Sequence, residues 1–423
     1  MFRARWLRTR RSVKHMALPL VASRATKFES LETLDGRERT VRRRLGTAWG
    51  LLLLNCIGYD GLIVHVPSVV GKAITQGALP LALLLLLSVN PRVVVRPSIF
   101  LCIVSLLPLE AVVTALNPEF LGTVYRTVRL VEFVLALWLL SPWFGRRDFL
   151  LLRYQLIALG VVIGSVIVGI PFAPGTALGT GRLQGTLWVV PGTQLAHYCA
   201  IVIGCVVILW ACGYIRGRPT LAVVAISFVV LILTHTRTAL VGMIFGILVA
   251  GLSLIERYIR VRKMFATAIV VVSIAVVTAS GLITTWLARG EDETGILELT
   301  GRTKVWGPLL AFPRDRFQEI FGFGLSNSSF GGLPIDSNWM SSYQEQGLFG
   351  AIVCGLILLF LLVNAFLQPT GARRALALFL ATYCLIASFT EDGFTDATPY
   401  MLDLVVAASL LLPPLTLTRD RSP

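Results

Sequence analysis

The sequence predicts an all-α, polytopic membrane protein, and three observations support this prediction. Hydrophobic residues make up 55% of the 423 residues and charged residues only 14%, and the mean hydropathy is +0.77. Apolar runs of roughly 20 residues, the length that crosses a bilayer as a helix, recur along the chain. The net charge of +15 is concentrated in the amino-terminal segment and in short connections between the runs. A water-soluble fold cannot hide this much apolar surface, so a bilayer must cover much of it.

Residues 1–45 are predicted to be a basic cytoplasmic tail. The segment is rich in arginine, as in MFRARWLRTRRSVKH and GRERTVRRR, and also contains acidic residues. It lacks the order of charged, apolar and small residues that marks a cleaved signal peptide, so we expect it to be retained. We expect it to be attracted to anionic lipid and not to nucleic acid.

Twelve apolar runs follow, and each is predicted to be a transmembrane helix. The first nine fill residues 46–287, the last three fill 344–417, and a short cytoplasmic end covers 418–423. Basic residues cluster in every second connection, which predicts that both termini are cytoplasmic. The runs cover residues 46–66, 69–90, 94–115, 128–144, 150–172, 193–214, 219–236, 238–256, 264–287, 347–367, 374–391 and 397–417.

Residues 288–343 form the one long connection, and its position predicts a large outer loop. Loops of this length are usually functional or disordered. Thr300 can cap a helix over GRTKVWGPLLAF that Pro313 ends, RFQEIFG reads as a second short helix, and GFGLSNSSFGGLP is a glycine-rich turn region. The sequence therefore predicts a small folded lid with short helices.

No metal site, disulfide framework or cofactor is predicted. The seven cysteines all lie inside apolar runs and show no metal-ligand spacing. They are typical of small core residues.

Isolated arginines stand at the outer mouths of the predicted helices, against the usual charge bias. A guanidinium offers a planar fork of donors that suits phosphate or diphosphate. The alternative is that these arginines reach lipid headgroups or pair with acids, and Glu132 is an obvious partner because it follows two of them on one helix face. The arginines are Arg126, Arg129, Arg182, Arg237 and Arg302.

Four short motifs follow one another along the chain in an order that indicates a family resemblance. T-R-T-A-L opens a predicted span, G-R-x-x-x-W opens the long loop, G-F-G lies inside it, and D-S followed by nine residues and G-L-F-G closes it. Over roughly residues 120–365 the chain resembles the O-antigen ligase and O-antigen polymerase superfamily. The resemblance implies an enzyme of the bacterial cytoplasmic (inner) membrane. Such an enzyme moves glycan from a polyprenyl diphosphate carrier to an acceptor sugar hydroxyl at the outer face, without a metal.

The resemblance also implies site residues. Arg237 and Arg302 would bind the donor diphosphate, with Arg182 as a third arginine. Asp336 and Ser337 stand where lipopolysaccharide ligases carry a histidine followed by Asn, Ser or Gln. Since polymerase-like relatives often have an acid there, the resemblance favours polymerisation.

General chemistry adds roles to the same stretch. Inverting transfer needs one general base, for which Asp336 is the first choice, and a cluster of cations for the leaving diphosphate. His235, two residues before Arg237, is a substitute base. Ser337 and Asn338 are candidate sugar contacts. Arg126 and Arg129 would add to the substrate site.

Other functions stay open at this point. Transfer to a lipid or another acceptor would make the protein a ligase. Membrane acids such as Asp60, Glu110 and Asp403 could instead be coupling sites of a transporter or flippase for an anionic lipid-linked substrate. The absence of inverted repeat halves and the single structured loop argue against transport. A structural subunit of an envelope complex would need no arginine constellation.

Overall fold

The fold is helical, as the sequence predicts, with one two-stranded hairpin among the described residues. A computed structural model describes residues 36–57, 67–116, 123–179, 181–288, 303–326 and 329–413. In these ranges the helices are α1 (Gly36–Asn55), α2 (Ser68–Val89), α3 (Ile99–Val104), α4 (Leu106–Ala115), α5 (Val124–Leu140), a 3₁₀ turn (Ser141–Trp143), α6 (Leu150–Gly169), α7 (Pro174–Leu178), α8 (Gly192–Ala211), α9 (Gly217–Leu233), α10 (Arg237–Leu252), α11 (Ile259–Ala288), α12 (Thr303–Ala311), α13 (Arg316–Phe321), α14 (Asn338–Leu367), α15 (Ala372–Ala387) and α16 (Pro399–Leu411). Strands β1 (Ser329–Phe330) and β2 (Leu333–Pro334) pair antiparallel.

Helices coincide with the apolar runs of the sequence. Four of the described helices are long and apolar enough to cross a membrane, namely α2, α6, α8 and α14. Others are apolar but shorter, such as α9 and α10. The all-α class and the membrane character are therefore confirmed at this level. The number of twelve crossings stays a prediction.

Helix α1 begins at Gly36, ten residues before the apolar run that predicted it. Its charged first turns are tied down by ion pairs. Arg42 Nη2 lies 3.0 Å from Glu38 and Arg42 Nη1 lies 2.8 Å from Asp148, while Arg146 Nη2 lies 3.1 Å from Glu38. Neutralised in this way, a charged sequence can extend the helix beyond its apolar part.

Arginines at this end of the bundle bind the carbonyl ends of other helices. Arg373 donates to the carbonyls of Leu410 and Leu412 at the end of α16, at 2.8 and 2.9 Å. Arg260 donates to the carbonyl of Trp210 at the end of α8. Cations at helix carboxyl ends are favourable because the helix dipole is negative there. We call this the basic end.

The opposite end is called the loop end. Helices α5, α8, α10, α14 and α16 begin there. Two segments cover it: the loop segment, residues 303–335, of which 327 and 328 lie outside the described residues, and the α15–α16 connection, residues 388–398.

Small residues let the central helices pack closely. A Cβ atom at Gly204 of α8 would overlap the ring of Phe379 in α15, and one at Gly246 of α10 would come within 2.8 Å of the same ring. Gly242 packs in the same way on Tyr383. Close backbone approach of this kind is how apolar helices associate where the surroundings are equally apolar.

A buried polar network joins five helices in this core. His197 Nε2 lies 2.9 Å from Asp403 Oδ2, and Gln155 donates to Asp403 Oδ1 at 2.7 Å. Trp49 donates to Gln155 at 2.9 Å, and Tyr383 lies 3.2 Å from His197 Nδ1. Asp403, considered above as a coupling acid, is thus enclosed by partners. Asp60 lies outside the described residues.

Candidate functional site

The G-F-G motif inside the long loop and the G-L-F-G motif that follows the loop contact each other. Helix α14 is kinked at Gly347, whose φ is +64°, and Gly322 of the loop segment has a φ of +72°. The two amides that follow Gly322 donate to the carbonyls of Gln344 and Glu345 at 3.0 and 2.8 Å. A Cβ atom at Gly322 would come within 2.5 Å of the Glu345 backbone. Both positions therefore need glycine for its conformation and for close approach.

The described residues of the loop segment include two short helices, and the large outer loop itself stays a prediction. Helices α12 (Thr303–Ala311) and α13 (Arg316–Phe321) lie within the two stretches predicted to be helical, and Asp315 forms a capping box with Gln318. Val305 and Leu309 of α12 pack with Ile335 in a small hydrophobic cluster. Thr300 and Arg302 lie outside the described residues, so their predicted roles stay predictions.

Polar contacts attach the loop segment to α14. The guanidinium of Arg314 lies over the ring of Tyr343, 4.3 Å from its centroid, and donates to Gln344 Oε1 at 2.7 Å. The buried carboxylate of Glu345 accepts from the amide and hydroxyl of Ser326 at 3.0 and 3.1 Å. The first turns of α14 are thus the platform on which the loop segment rests.

Asp336 lies at the start of this platform and is exposed. Its neighbours Ser337 and Asn338 are buried, with 2% and 0% of their surface exposed. The Asn338 amide donates to the Ser388 carbonyl at 3.0 Å, and its side-chain oxygen accepts from the Phe394 amide at 2.9 Å. Asn338 therefore holds the α15–α16 connection, whereas Asp336 is accessible to solvent.

The turn between α9 and α10 places Arg237. His235 is half-buried and has a φ of +51°, in the left-handed region where residues other than glycine are uncommon. This turn sets Arg237, also half-buried, as the first residue of α10. The hydroxyl of Thr390 donates to that of Thr238 at 2.9 Å. The α15–α16 connection therefore contacts the starts of both α10 and α14. Arg237 and Asp336 consequently lie at the same end of the bundle.

Arg182 reaches the same region from a different segment. The amide of the next residue, Leu183, donates to the carbonyl of Leu233 at 2.9 Å. Leu233 ends α9, two residues before His235. Arg182 is exposed and lies beside the turn that carries Arg237.

Arg126 and Arg129 in the first turns of α5 share a carboxylate, and it is not the one expected. Their Nη1 atoms lie 4.0 and 3.8 Å from Asp396 Oδ2. Arg129 also donates to Asn55 Oδ1 at 2.9 Å. The expected partner Glu132 forms no ion pair with the described residues. Sequence reasoning missed Asp396, although the run TEDGFTD in a predicted outer connection was a signal for it.

Arginines and helix amino-terminal ends make the electrostatic potential at the loop end positive. Arg126 and Arg237 stand in the first turns of α5 and α10, where the helix dipole is also positive. Helix amino-terminal ends bind anions readily, and guanidinium groups add donors of fixed geometry. This arrangement can hold a phosphate or diphosphate, with Asp336 as an exposed acid at the start of α14.

Fold and site together define a helical protein with several helices apolar enough to span a membrane and an arginine-bearing loop end. No family model matches the chain, and no curated protein is significantly similar to it.

Proposed function

We propose that the protein is a membrane glycosyltransferase of the O-antigen polymerase and ligase type. It takes glycan from a polyprenyl-diphosphate-linked oligosaccharide and transfers it to the hydroxyl of an acceptor sugar. In this proposal the chain crosses a bacterial inner membrane twelve times, with both termini cytoplasmic and the loop end outside. The observation that carries the proposal is that the α15–α16 connection contacts both the T-R-T-A-L turn and the start of α14, while the G-F-G segment bonds to the next turns of α14.

The donor diphosphate binds at the loop end. Arg237 and Arg182 hold it through paired hydrogen bonds, joined by Arg302 in the long loop. Arg126 and Arg129 contribute long-range positive charge, part of which Asp396 offsets. The amino-terminal ends of α5 and α10 add to this field. A site of this kind binds the leaving group more tightly as its charge grows, which is what the reaction requires.

The reaction is an inverting displacement. The acceptor hydroxyl oxygen attacks the anomeric carbon of the donor as its proton passes to the Asp336 carboxylate. The bond between the anomeric carbon and the diphosphate oxygen breaks, and its electron pair leaves with the diphosphate. The arginines stabilise the charge that develops there. Protonated Asp336 then loses the proton to solvent, which its exposure permits.

Polymerisation is favoured over ligation because an acid, not a histidine, stands at position 336. The test is to incubate purified protein in liposomes with a labelled lipid-linked repeat unit. A ladder of products supports polymerase activity, and a single larger product that needs an added acceptor supports ligase activity. Uptake into vesicles without any product would contradict transfer and favour transport.

A further inference from the structure

A long groove lies between α1 and α6 and extends from the basic end towards the loop end. Its volume is about 770 Å³, which is within the range of roughly 300–1,000 Å³ that ligand pockets have. Residues spaced three or four apart line it on both helices, so one face of each helix forms a wall. On α1 these include Gly46, Gly50 and Leu54, and on α6 Ala158, Val161 and Ser165.

Small residues on α1 create this space. Both helices begin at the basic end and run in the same direction. Near their starts they are in contact, because a Cβ atom at Gly46 would lie 3.1 Å from the Tyr154 ring and the Tyr154 hydroxyl donates to the Arg42 carbonyl at 2.6 Å. One turn later nothing lies within 4 Å of a Cβ atom at Gly50. The groove is open at this glycine.

The groove has the length of a lipid chain. Its lining runs along α1 from Arg43 to Leu54, which is about 16 Å at roughly 1.5 Å per residue, and Ile57 continues it just beyond the helix. One leaflet of a bilayer has roughly 15 Å of hydrocarbon, half of the full core. Trp188 and Val190 complete the lining.

Charge is found at only one end of this lining. The basic end carries Arg42, Arg43 and Arg153, whereas Ile57 at the other end of the α1 wall is apolar. Glu38 and Asp148 compensate Arg42. Arg43 is exposed and forms no ion pair with the described residues. An elongated apolar groove with cations at one mouth matches an anionic lipid.

We infer that this groove binds an acyl chain of an anionic phospholipid whose phosphate contacts Arg43 and Arg153. The lipid headgroup lies at the basic end, as expected for attraction between arginines and anionic lipid. This site is distinct from the donor site of the proposed function, where the diphosphate lies at the loop end. The inference does not depend on glycan transfer.

Native mass spectrometry of the protein taken from vesicles of equal parts phosphatidylglycerol and phosphatidylcholine tests this. The wild type should retain phosphatidylglycerol. Gly50→Phe fills the groove and should abolish retention. Gly160→Phe is the matched control, because Gly160 is exposed on α6, is equally open, and does not line the groove. It should retain lipid like the wild type.

A second pair of variants tests the headgroup without touching the packing. Arg43→Gln should weaken phosphatidylglycerol retention roughly fivefold, whereas Arg147→Gln, an exposed arginine of the basic end outside the groove, should not. Equal retention in wild type, Gly50→Phe and Arg43→Gln would overturn the inference. A second outcome would also overturn it. If polyprenyl diphosphate is added and Gly50→Phe loses this lipid but keeps phosphatidylglycerol, the groove holds the donor chain instead.

Discussion

Arg129 and Asp396 face each other at the loop end, with Nη1 of the arginine 3.8 Å from Oδ2 of the aspartate. Arg129 also donates to the Ala397 carbonyl and to Asn55, so α5 holds both the end of α1 and the connection that leads into α16. The Asp396 carboxylate accepts from the amide of Ala397 at 2.6 Å. This pair therefore shapes the connection that carries Thr390 next to α10.

Removing the aspartate should destabilise the loop end. Asp396→Ala leaves two arginines without their carboxylate, and breaking a largely buried pair costs about 3 kcal/mol. We expect a lower thermal transition in detergent. Glu132→Gln is the control, since Glu132 is in α5 with the two arginines and forms no ion pair among the described residues. A transition equal to that of wild type in Asp396→Ala would show that the pair contributes nothing.

The contact between the two glycine motifs makes a sharper stability prediction. Gly347→Ala and Gly322→Ala each place an alanine at a positive φ, where it is strained, and bring its Cβ atom into overlap with backbone atoms. Each should therefore release the loop segment from α14. Gly331→Ala is the control: its φ is +59° but nothing lies within 4 Å of the added Cβ, so it should cost only about 1 kcal/mol. Limited proteolysis within residues 303–335 measures the release. Equal protection of Gly347→Ala and Gly331→Ala would refute the contact.

These contacts show where sequence reasoning succeeds and where it stops. The helices could be predicted because long apolar runs have few stable alternatives, and Pro313 is a local signal for the end of α12. The pairing of Arg129 with Asp396 could not, because it joins residues far apart in the chain. The polarity of Asn338 alone does not distinguish a sugar contact from a buried side chain with satisfied hydrogen bonds, so its role as a sugar contact stays a prediction.

Cysteines placed beyond the two ends of α14 test the predicted membrane topology. A cysteine at Gly331, in the exposed hairpin turn, should react with an impermeant thiol reagent added outside intact cells, whereas one at Thr370 should not. The 30 residues of α14 separate the two positions by about 45 Å along the helix. Cys102, the exposed native cysteine, is replaced by serine in both. Equal labelling, or the reverse, would remove the loop end from the outer face.

Acid should loosen the basic end. Hydrogen bonding from Arg42, helped by Arg146, lowers the pKa of Glu38 below its ordinary value of 4.5. A lowered folded-state pKa gives stability that is present above the unfolded value and is lost as the pH falls through the folded one. Glu38 is partly exposed, so the effect should be small, about 1–2 °C in the thermal transition. Between pH 6 and pH 3.5 the thermal transition temperature of the wild type should fall further than that of Glu38→Gln. Equal falls in the two proteins would contradict this assignment.

The most direct test of the proposed function follows both products of transfer, the extended glycan and the released polyprenyl diphosphate, in liposomes at matched protein level. The wild type should form the two in equal amounts. Asp336→Asn keeps the shape of the side chain but cannot accept the proton, so transfer should fall by roughly 10²–10⁴-fold while donor binding persists. Arg237→Lys should lose most activity because a point charge cannot replace two parallel hydrogen bonds. Asp336→His should keep measurable activity, because a histidine can also accept the proton near neutral pH. Failure of the wild type to release polyprenyl diphosphate when both substrates are present, or unchanged release in Asp336→Asn and Arg237→Lys, would contradict the account.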